Sequence, residues 1–385
     1  MKKAAWHICV SILVLFFFLL FVGCPADPQP TGTPVVGGPH SPNATRLLNY
    51  LFDQYGKNII SGQMDTAWNP SMDMVASVHD DTGKYPALKG FDLIQLPYSG
   101  EPYYAGKEQI DEAIEWWEGK NDGEKLLPGK PDIHGIVAFC WHWRIPKLTI
   151  SGSTVYEFYT DRTDFRIPWS NDQLDTESAE FQTIKDDLDK AAALLKLLKD
   201  KDIPVLWRPL HEASGRWFWW GASGPQPYIA LWEYMHNYLT NEKGLDNLIW
   251  VWNGQRADWF PNPKTVDIVG YDRYTDASTS QSARNYSSQK PYFSQTRAMV
   301  PGKDRMVALT ENGAIPDPNE CYLDEAMWLW FMTWNNARNT NGETHKDNFW
   351  TGEYHNTNAH KTYVYNHARV ITLDELPDLT KYRLD

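Results

Sequence analysis

Two carboxylates in this chain stand where acid–base chemistry is done. Glu212 ends the run Val205-Leu206-Trp207-Arg208-Pro209-Leu210-His211-Glu212, which begins as an apolar strand and stops at an ionisable pair. Gly215 and the aromatic wall Trp217-Phe218-Trp219-Trp220-Gly221 follow it. Burial beside indoles raises a carboxyl pKa, which suits a group that donates a proton near neutral pH. A packing role reads from the same residues: a Glu held by Arg208 and His211 in a satisfied network. Glu311 closes a second apolar run, Met306–Thr310. Paired carboxyls across a mouth are what glycosidic bond cleavage needs. One protonates the leaving oxygen, and the other attacks the anomeric carbon or activates water. Their separation decides the outcome, roughly 5–5.5 Å for retention and roughly 6.5–9.5 Å for inversion.

To bring Glu212 and Glu311 together, the chain must fold back on itself repeatedly. Eight apolar runs read as strands: Asn58–Ser61, Ala87–Leu93, Ile133–Cys140, Ile203–Leu210, Asn247–Trp252, Val266–Tyr271, Met306–Thr310 and Trp328–Thr333. Between the third and fourth, Phe181, Ile184, Leu188, Ala191, Leu195 and Leu198 recur at three- and four-residue steps, which predicts a helix. Ile110, Ile114 and Trp117, and Ile229, Trp232, Met235 and Leu239, suit helices too. Alternating strands and helices imply parallel pairing, and eight such units imply an α/β fold, a closed (β/α)8 TIM barrel forming one catalytic domain. The excess over a minimal barrel falls in loops, chiefly Arg144 to Asp175, where Tyr156 to Arg166 reads as either a cleft-closing loop or an exposed insertion. Barrel chemistry sits at the C-terminal ends of strands. Those ends carry Gln63; Trp141, His142 and Trp143; Arg208, His211 and Glu212; Asp272 and Tyr274; Glu311 and Asn312; Trp334 and Asn335. Trp207, Trp250 and Trp252 lie in strand patterns and read as core. Trp217, directly after the Glu212 loop, reads as a stacking surface for a sugar ring.

The chain has 385 residues, 42% apolar and 22% charged, which are the proportions of a globular protein. A net charge of −13 with no Lys/Arg run excludes a nucleic-acid partner and fits a neutral substrate. His345, His355, His360 and His367 are scattered through a polar tail without metal-ligand spacing, so neither a metal nor a cofactor is expected. Cys140 lies inside an apolar run and reads as a buried thiol, with a bridge to Cys321 left open. Lys2 and Lys3 precede a run from Val10 to Val22 broken only by Ser11, the pattern of an export signal. Phe21-Val22-Gly23-Cys24 resembles a bacterial lipoprotein processing site, with Phe at 21 where Leu is commonest. The expected organisation is a signal peptide over 1–23, lipid on Cys24, a Pro/Gly-rich tether over 24–44 and a catalytic domain over 45–385. The protein is therefore expected to be an exported, membrane-anchored monomer of the cell envelope, in the periplasm or on the cell surface.

Trp207-Arg208-Pro209-Leu210-His211-Glu212 followed by Trp217-Phe218-Trp219-Trp220-Gly221 resembles glycoside hydrolase family 26, best known for β-mannanases. Further segments are similar in the same order: Ser61-Gly62-Gln63, Thr82–Ala87 with Gly90-Phe91-Asp92, Cys140-Trp141-His142-Trp143, Asp267–Tyr274 and Leu309-Thr310-Glu311. The resemblance spans Leu48 to Leu376. It implies a retaining endo-β-1,4-mannanase with Glu212 as acid/base and Glu311 as nucleophile. It also implies that His211 helps to order the site, that Tyr274 hydrogen-bonds the nucleophile, that His142 and Trp217 contact substrate, and that Trp334 is an aromatic platform. Trp143 and Arg208 join the expected substrate-binding set, with a β-mannan or related neutral polysaccharide as the partner. Ala213-Ser214 departs from the Met-Asn common there. β-1,3-Xylanase or mixed-linkage β-glucanase activity on the same machinery is the alternative within enzymes. A non-catalytic polysaccharide-binding lipoprotein is the alternative outside them, though a binding cleft has no need of both carboxylates.

Overall fold

The computed structural model describes residues 34, 36–67, 73–98, 104–120, 127–150, 153–336 and 345–385. The expected signal peptide, Cys24 and the tether as far as residue 33 lie outside the described residues.

All eight expected strands form. They are β1 Ile59–Met64, β2 Leu88–Asp92, β3 Ile136–Cys140, β4 Val205–Arg208, β5 Leu248–Trp252, β6 Ile268–Arg273, β7 Met306–Asn312 and β8 Trp330–Thr333. Each pairs in parallel with the next, and β8 returns to β1 with Ile60 opposite Trp330 and Gln63 opposite Thr333, so the barrel closes. The strands are buried almost throughout, as parallel strands covered by helices must be, which is why they read as unbroken apolar runs. β2 starts opposite Gly62, and a short strand, Val370–Ile371, covers the start of β1 below it. Ser61 Oγ binds that seam, donating to Ile371 O at 2.8 Å and accepting from Ala87 N at 3.1 Å.

The expected helix between β3 and β4 runs from Ala179 to Lys199. Ser178 caps it by accepting from Phe181 N at 3.1 Å, a contact worth about 1 kcal/mol. Phe181, Ile184, Leu188, Ala191, Leu195 and Leu198 form its buried face. Tyr104–Glu118 and Pro225–His236 are the helices expected around Ile110 and Trp232. The surplus after β3 contains an antiparallel hairpin, Ile145–Ile150 with Ser153–Glu157.

The folded unit begins before Thr45, the expected boundary. Ser41 caps the helix Pro42–Gln54, and Gly37 N donates to Asp267 Oδ1 at 2.5 Å, with His40 Nε2 3.0 Å from the same oxygen. A Pro/Gly-rich composition here describes a docked segment, because its polar groups find partners at the start of β6. Cys140 and Cys321 are both buried and unbridged.

Candidate active site

β4 ends at Arg208, and the chain then turns through Leu210 and Glu212, both in the left-handed region at φ 51 and φ 54. Such residues cost of order 1–3 kcal/mol each and gather at functional sites. The turn is held from the next strand end: Glu212 N donates to Asn253 O at 2.7 Å. β7 carries an irregularity where β6 and β7 pair, Tyr271 facing Leu309 and Asp272 facing Glu311, so Thr310 is the extra residue. Bulges of this kind re-aim a side chain beside an active site. The result is that one oxygen each of Glu212, Asp272 and Glu311 lies within 4.8 Å of the others.

Arg208 is the centre of this cluster. Its Nη1 donates to Asp272 Oδ2 at 2.9 Å, and its Nη2 donates to Glu311 Oε1. Glu311 Oε2 accepts from Tyr274 OH at 2.7 Å. Asp272 Oδ1 accepts from Asn253 Nδ2 and Thr310 Oγ1, both at 2.6 Å. Glu212 stands apart from the guanidinium contacts and accepts from Trp217 Nε1 at 3.0 Å. Electrostatics follow from these partners. Burial pushes the Glu212 carboxyl well above the usual carboxylate range, aided by Asp272 and Glu311, with Arg208 and the Trp217 indole opposing. Burial and Asp272 push Glu311 up to about 7, while Arg208, His142 and Tyr274 hold it down. A proton arriving at the pair therefore resides on Glu212, because Glu311 has the direct guanidinium and phenol contacts.

On the third strand end, His142 is fixed by Asp92: its backbone N donates to Oδ1 at 3.0 Å and its Nδ1 lies 2.6 Å from Oδ2. His142 Nε2 faces His211 Nε2 at 3.3 Å, and its ring packs edge-on to Trp334 and Phe218 at 5.7 and 5.6 Å. Burial, with Arg208 and His142 nearby, holds His211 well below the usual histidine range.

Of the expected site residues besides the two carboxylates, Trp217 is exposed and His142, Tyr274 and Trp334 are half-buried at the strand ends. Three others are buried. Trp143 is 1% exposed, stacks on Trp141 at 4.2 Å and donates its indole N–H to Asp187 Oδ2 at 3.0 Å, so it is core. Arg208 is buried and its two terminal nitrogens are engaged by the two carboxylates, so it is placed to orient the nucleophile candidate. His211 is buried and presents its edge to His142, with its carbonyl accepting from Trp220 Nε1 at 2.8 Å. Asp92 and Asn253 were missed as site residues. Reading the ends of the second and fifth strands as the other ends were read would have found both.

Among the described residues, three acidic or mixed groups could hold a cation by proximity. In two of them a side-chain cation already sits there: Arg208 beside Asp272 and Glu311, and Lys89 Nζ among Asp65, Asp73 and Glu112 at 3.0, 3.4 and 2.6 Å. In the third, with Asp92 and His142, burial pushes the Cys140 thiol well up, which disfavours the thiolate a metal would need. Of the scattered histidines, His360 is buried, stacks on Tyr286 and lies 2.8 Å from Ile315 O.

A closed parallel barrel with carboxyl groups facing each other from the ends of β4 and β7 has the architecture of a two-carboxylate glycosidase. The profile of Glycosyl hydrolase family 26 matches residues 37–375, and the chain belongs to that family. It is 36% identical over 345 residues to a mannan endo-1,4-beta-mannosidase of Thermothelomyces thermophilus, covering 87% of this chain and 61% of that one. Among solved structures, the Podospora anserina GH26-CBM35 beta-(1,4)-mannanase matches with TM-score 0.73 and 32% identity, over 92% of this chain and 71% of the other. The beta-mannanase from a symbiotic protist of the termite Reticulitermes speratus, complexed with gluco-manno-oligosaccharide, matches with TM-score 0.73 and 28% identity, over 90% and 100%. The chain spans about half to three fifths of the length of the curated relatives it matches over 339 residues or more.

Proposed function

We propose that this protein is a retaining endo-β-1,4-mannanase that cleaves mannan-type polysaccharide by double displacement. The observation that carries the mechanism is that one oxygen of Glu212 lies within 4.8 Å of one oxygen of Glu311, which fits the short separation of retaining enzymes. Glu212 gives its proton to the departing oxygen. Glu311, held charged by Arg208 and Tyr274, attacks the anomeric carbon to form a glycosyl-enzyme, and Glu212 then acts as base for the incoming water. The names of the relatives support mannan as the substrate. The lipid anchor on Cys24 and the cell-envelope location remain part of this proposal.

The test is Glu212→Gln. Turnover of β-mannan should fall by ~10²–10⁴-fold, the usual worth of general acid–base catalysis. An aryl mannoside whose leaving group needs no proton should keep its rate of glycosyl-enzyme formation. Equal losses on both substrates would overturn the assignment of Glu212. Parallel digestion of β-mannan, β-1,3-xylan and mixed-linkage glucan tests the substrate, and release of mixed oligomers from linear mannan tests endo action.

A further inference from the structure

Trp217 is 45% exposed, yet it is held from three directions. Its Nε1–H donates to Glu212 Oε2 at 3.0 Å. Its six-membered ring lies on Gly215: a Cβ there would come within 2.0, 2.1 and 2.3 Å of the ring atoms Cζ3, Cη2 and Cε3. Its carbonyl accepts from Thr160 N at 2.7 Å, and Thr160 Oγ1 donates to Arg216 O at 2.9 Å. Thr160 belongs to the insertion after β3. That insertion runs antiparallel to the Glu212 loop through the Tyr159–Phe218 bridge and through Trp219 N, which donates to Phe158 O at 3.0 Å.

The absence of a side chain at 215 is informative. Gly215 is not among the glycines with left-handed φ, so backbone conformation does not demand glycine there. The ring does, because any side chain would occupy the space of the indole. The insertion, likewise, is no free flap at this point. It supplies donors to two consecutive carbonyls of the loop that carries Glu212, those of Arg216, itself at φ 61, and Trp217.

We propose that Gly215 and Thr160 are positioning residues for the acid/base, which they serve by seating Trp217 so that its N–H fixes the Glu212 carboxyl. This rests on the reading of Glu212 as the acid. With Oε2 engaged as an acceptor, the proton of the neutral form resides on Oε1, so the indole selects which oxygen delivers it. An N–H donor also favours the charged form, so losing it raises the Glu212 pKa further.

The experiment uses the full chain with 15N-labelled tryptophan. The Trp217 indole resonance is assigned by its disappearance in Trp217→Phe, and its shift is followed against pH. In the wild type it titrates with Glu212, and that titration is absent in Glu212→Gln. In Gly215→Ala the resonance moves and its titration is lost. The kcat/KM on β-mannan falls about 10–100-fold, as expected for a lost hydrogen bond to an ionisable group, and the basic limb of the pH profile moves up. An activated aryl mannoside is spared, and Gly215→Ala adds little further loss in a Glu212→Gln background. Thr160→Val, which keeps the backbone N–H, produces the same changes in smaller measure and carries the test if Gly215→Ala does not fold. A folded Gly215→Ala protein with the wild-type Trp217 titration and an unmoved pH profile overturns the proposal. Should the wild type fail to hydrolyse β-mannan, the functional reading fails, while the indole titration still decides whether Gly215 seats Trp217 against Glu212.

Discussion

Arg208 lies in the interior between two carboxylates, and its removal is the sharpest test of how the nucleophile candidate stays charged. Its guanidinium contacts Asp272 and Glu311 directly. For charge centres about 4 Å apart at an effective dielectric of about 20, each attraction is about 4 kcal/mol. At 1.36 kcal/mol per unit, that is equivalent to about 3 pKa units on Glu311. With the guanidinium present, burial and Asp272 leave Glu311 at about 7. In Arg208→Met, with Tyr274 still donating, Glu311 should rise by ~2–3 units. At pH 7 the charged fraction, and with it kcat/KM, should drop by ~10²–10³-fold, and activity should return as pH rises. Stability should follow the same sign. A carboxyl with a raised folded pKa contributes fully below its unfolded pKa, and the contribution is lost as pH rises through the folded one. The variant should therefore be most compromised at alkaline pH, by about 3–5 kcal/mol where both carboxylates are forced to ionise unpaired. The assay is kcat/KM against pH from acid to alkaline, with a melting curve at each point so that unfolding is not mistaken for lost chemistry. Arg208→Lys should fall between, since an ammonium cannot span both carboxylates in the guanidinium's fixed geometry. A rate loss that is uniform in pH, with the acid limb unmoved, would refute the electrostatic role and return Arg208 to the substrate contacts.

Tyr274→Phe removes the 2.7 Å donor to Glu311 but leaves Arg208 in place, so kcat/KM should fall ~10–100-fold and the acid limb should move up by less than in Arg208→Met. An unmoved limb in that profile would place the phenol elsewhere in the reaction. Glu212→Gln should stabilise the fold in a pH-dependent way. The raised Glu212 pKa means that wild-type stability is complete below about 4.5, the ordinary Glu range, and declines as pH rises towards the folded value. The variant and wild type should match near pH 4 and separate by up to about 1.4 kcal/mol per pH unit above it, read by denaturant unfolding. A constant gap between the two curves would show that Glu212 is not strained by burial.

The barrel was legible because each strand is buried on both sides and writes itself as an apolar run, and because the Phe181–Leu198 face repeats at helical steps. Boundaries were less so. The docking of Gly37 and His40 on Asp267 depends on partners some 230 residues distant, which composition alone reads as tether. Glu212 and Glu311 were legible as strand ends, but their inequality was not. It arises from which side chains the neighbouring strands deliver: Arg208 turns to Glu311, and Asn253 and Thr310 turn to Asp272. Trp143 was misplaced because alternate residues around a strand end point to opposite sides, and His142 takes the mouth while both flanking indoles take the interior.

That division of indoles bears on the chemistry more than stacking does. Trp141, Trp143, Trp207, Trp219 and Trp220 are all buried, and three of their N–H groups are turned away from the carboxyls: Trp143 to Asp187, Trp219 to the Trp143 carbonyl at 2.7 Å, and Trp220 to the His211 carbonyl. These rings therefore exclude water beneath the mouth without offering donors to the acid, which is the condition under which burial raises a carboxyl pKa. Trp217 breaks the pattern. It is exposed, and its N–H goes to Glu212 itself. One donor against a dry wall tempers the rise without cancelling it, which is what the proposed acid/base role asks of Glu212: a proton held at rest and one taken back from water in the second step. A mouth lined with further donors would hold Glu212 ionised, and the two carboxyls would no longer differ in the way the proposed reaction requires.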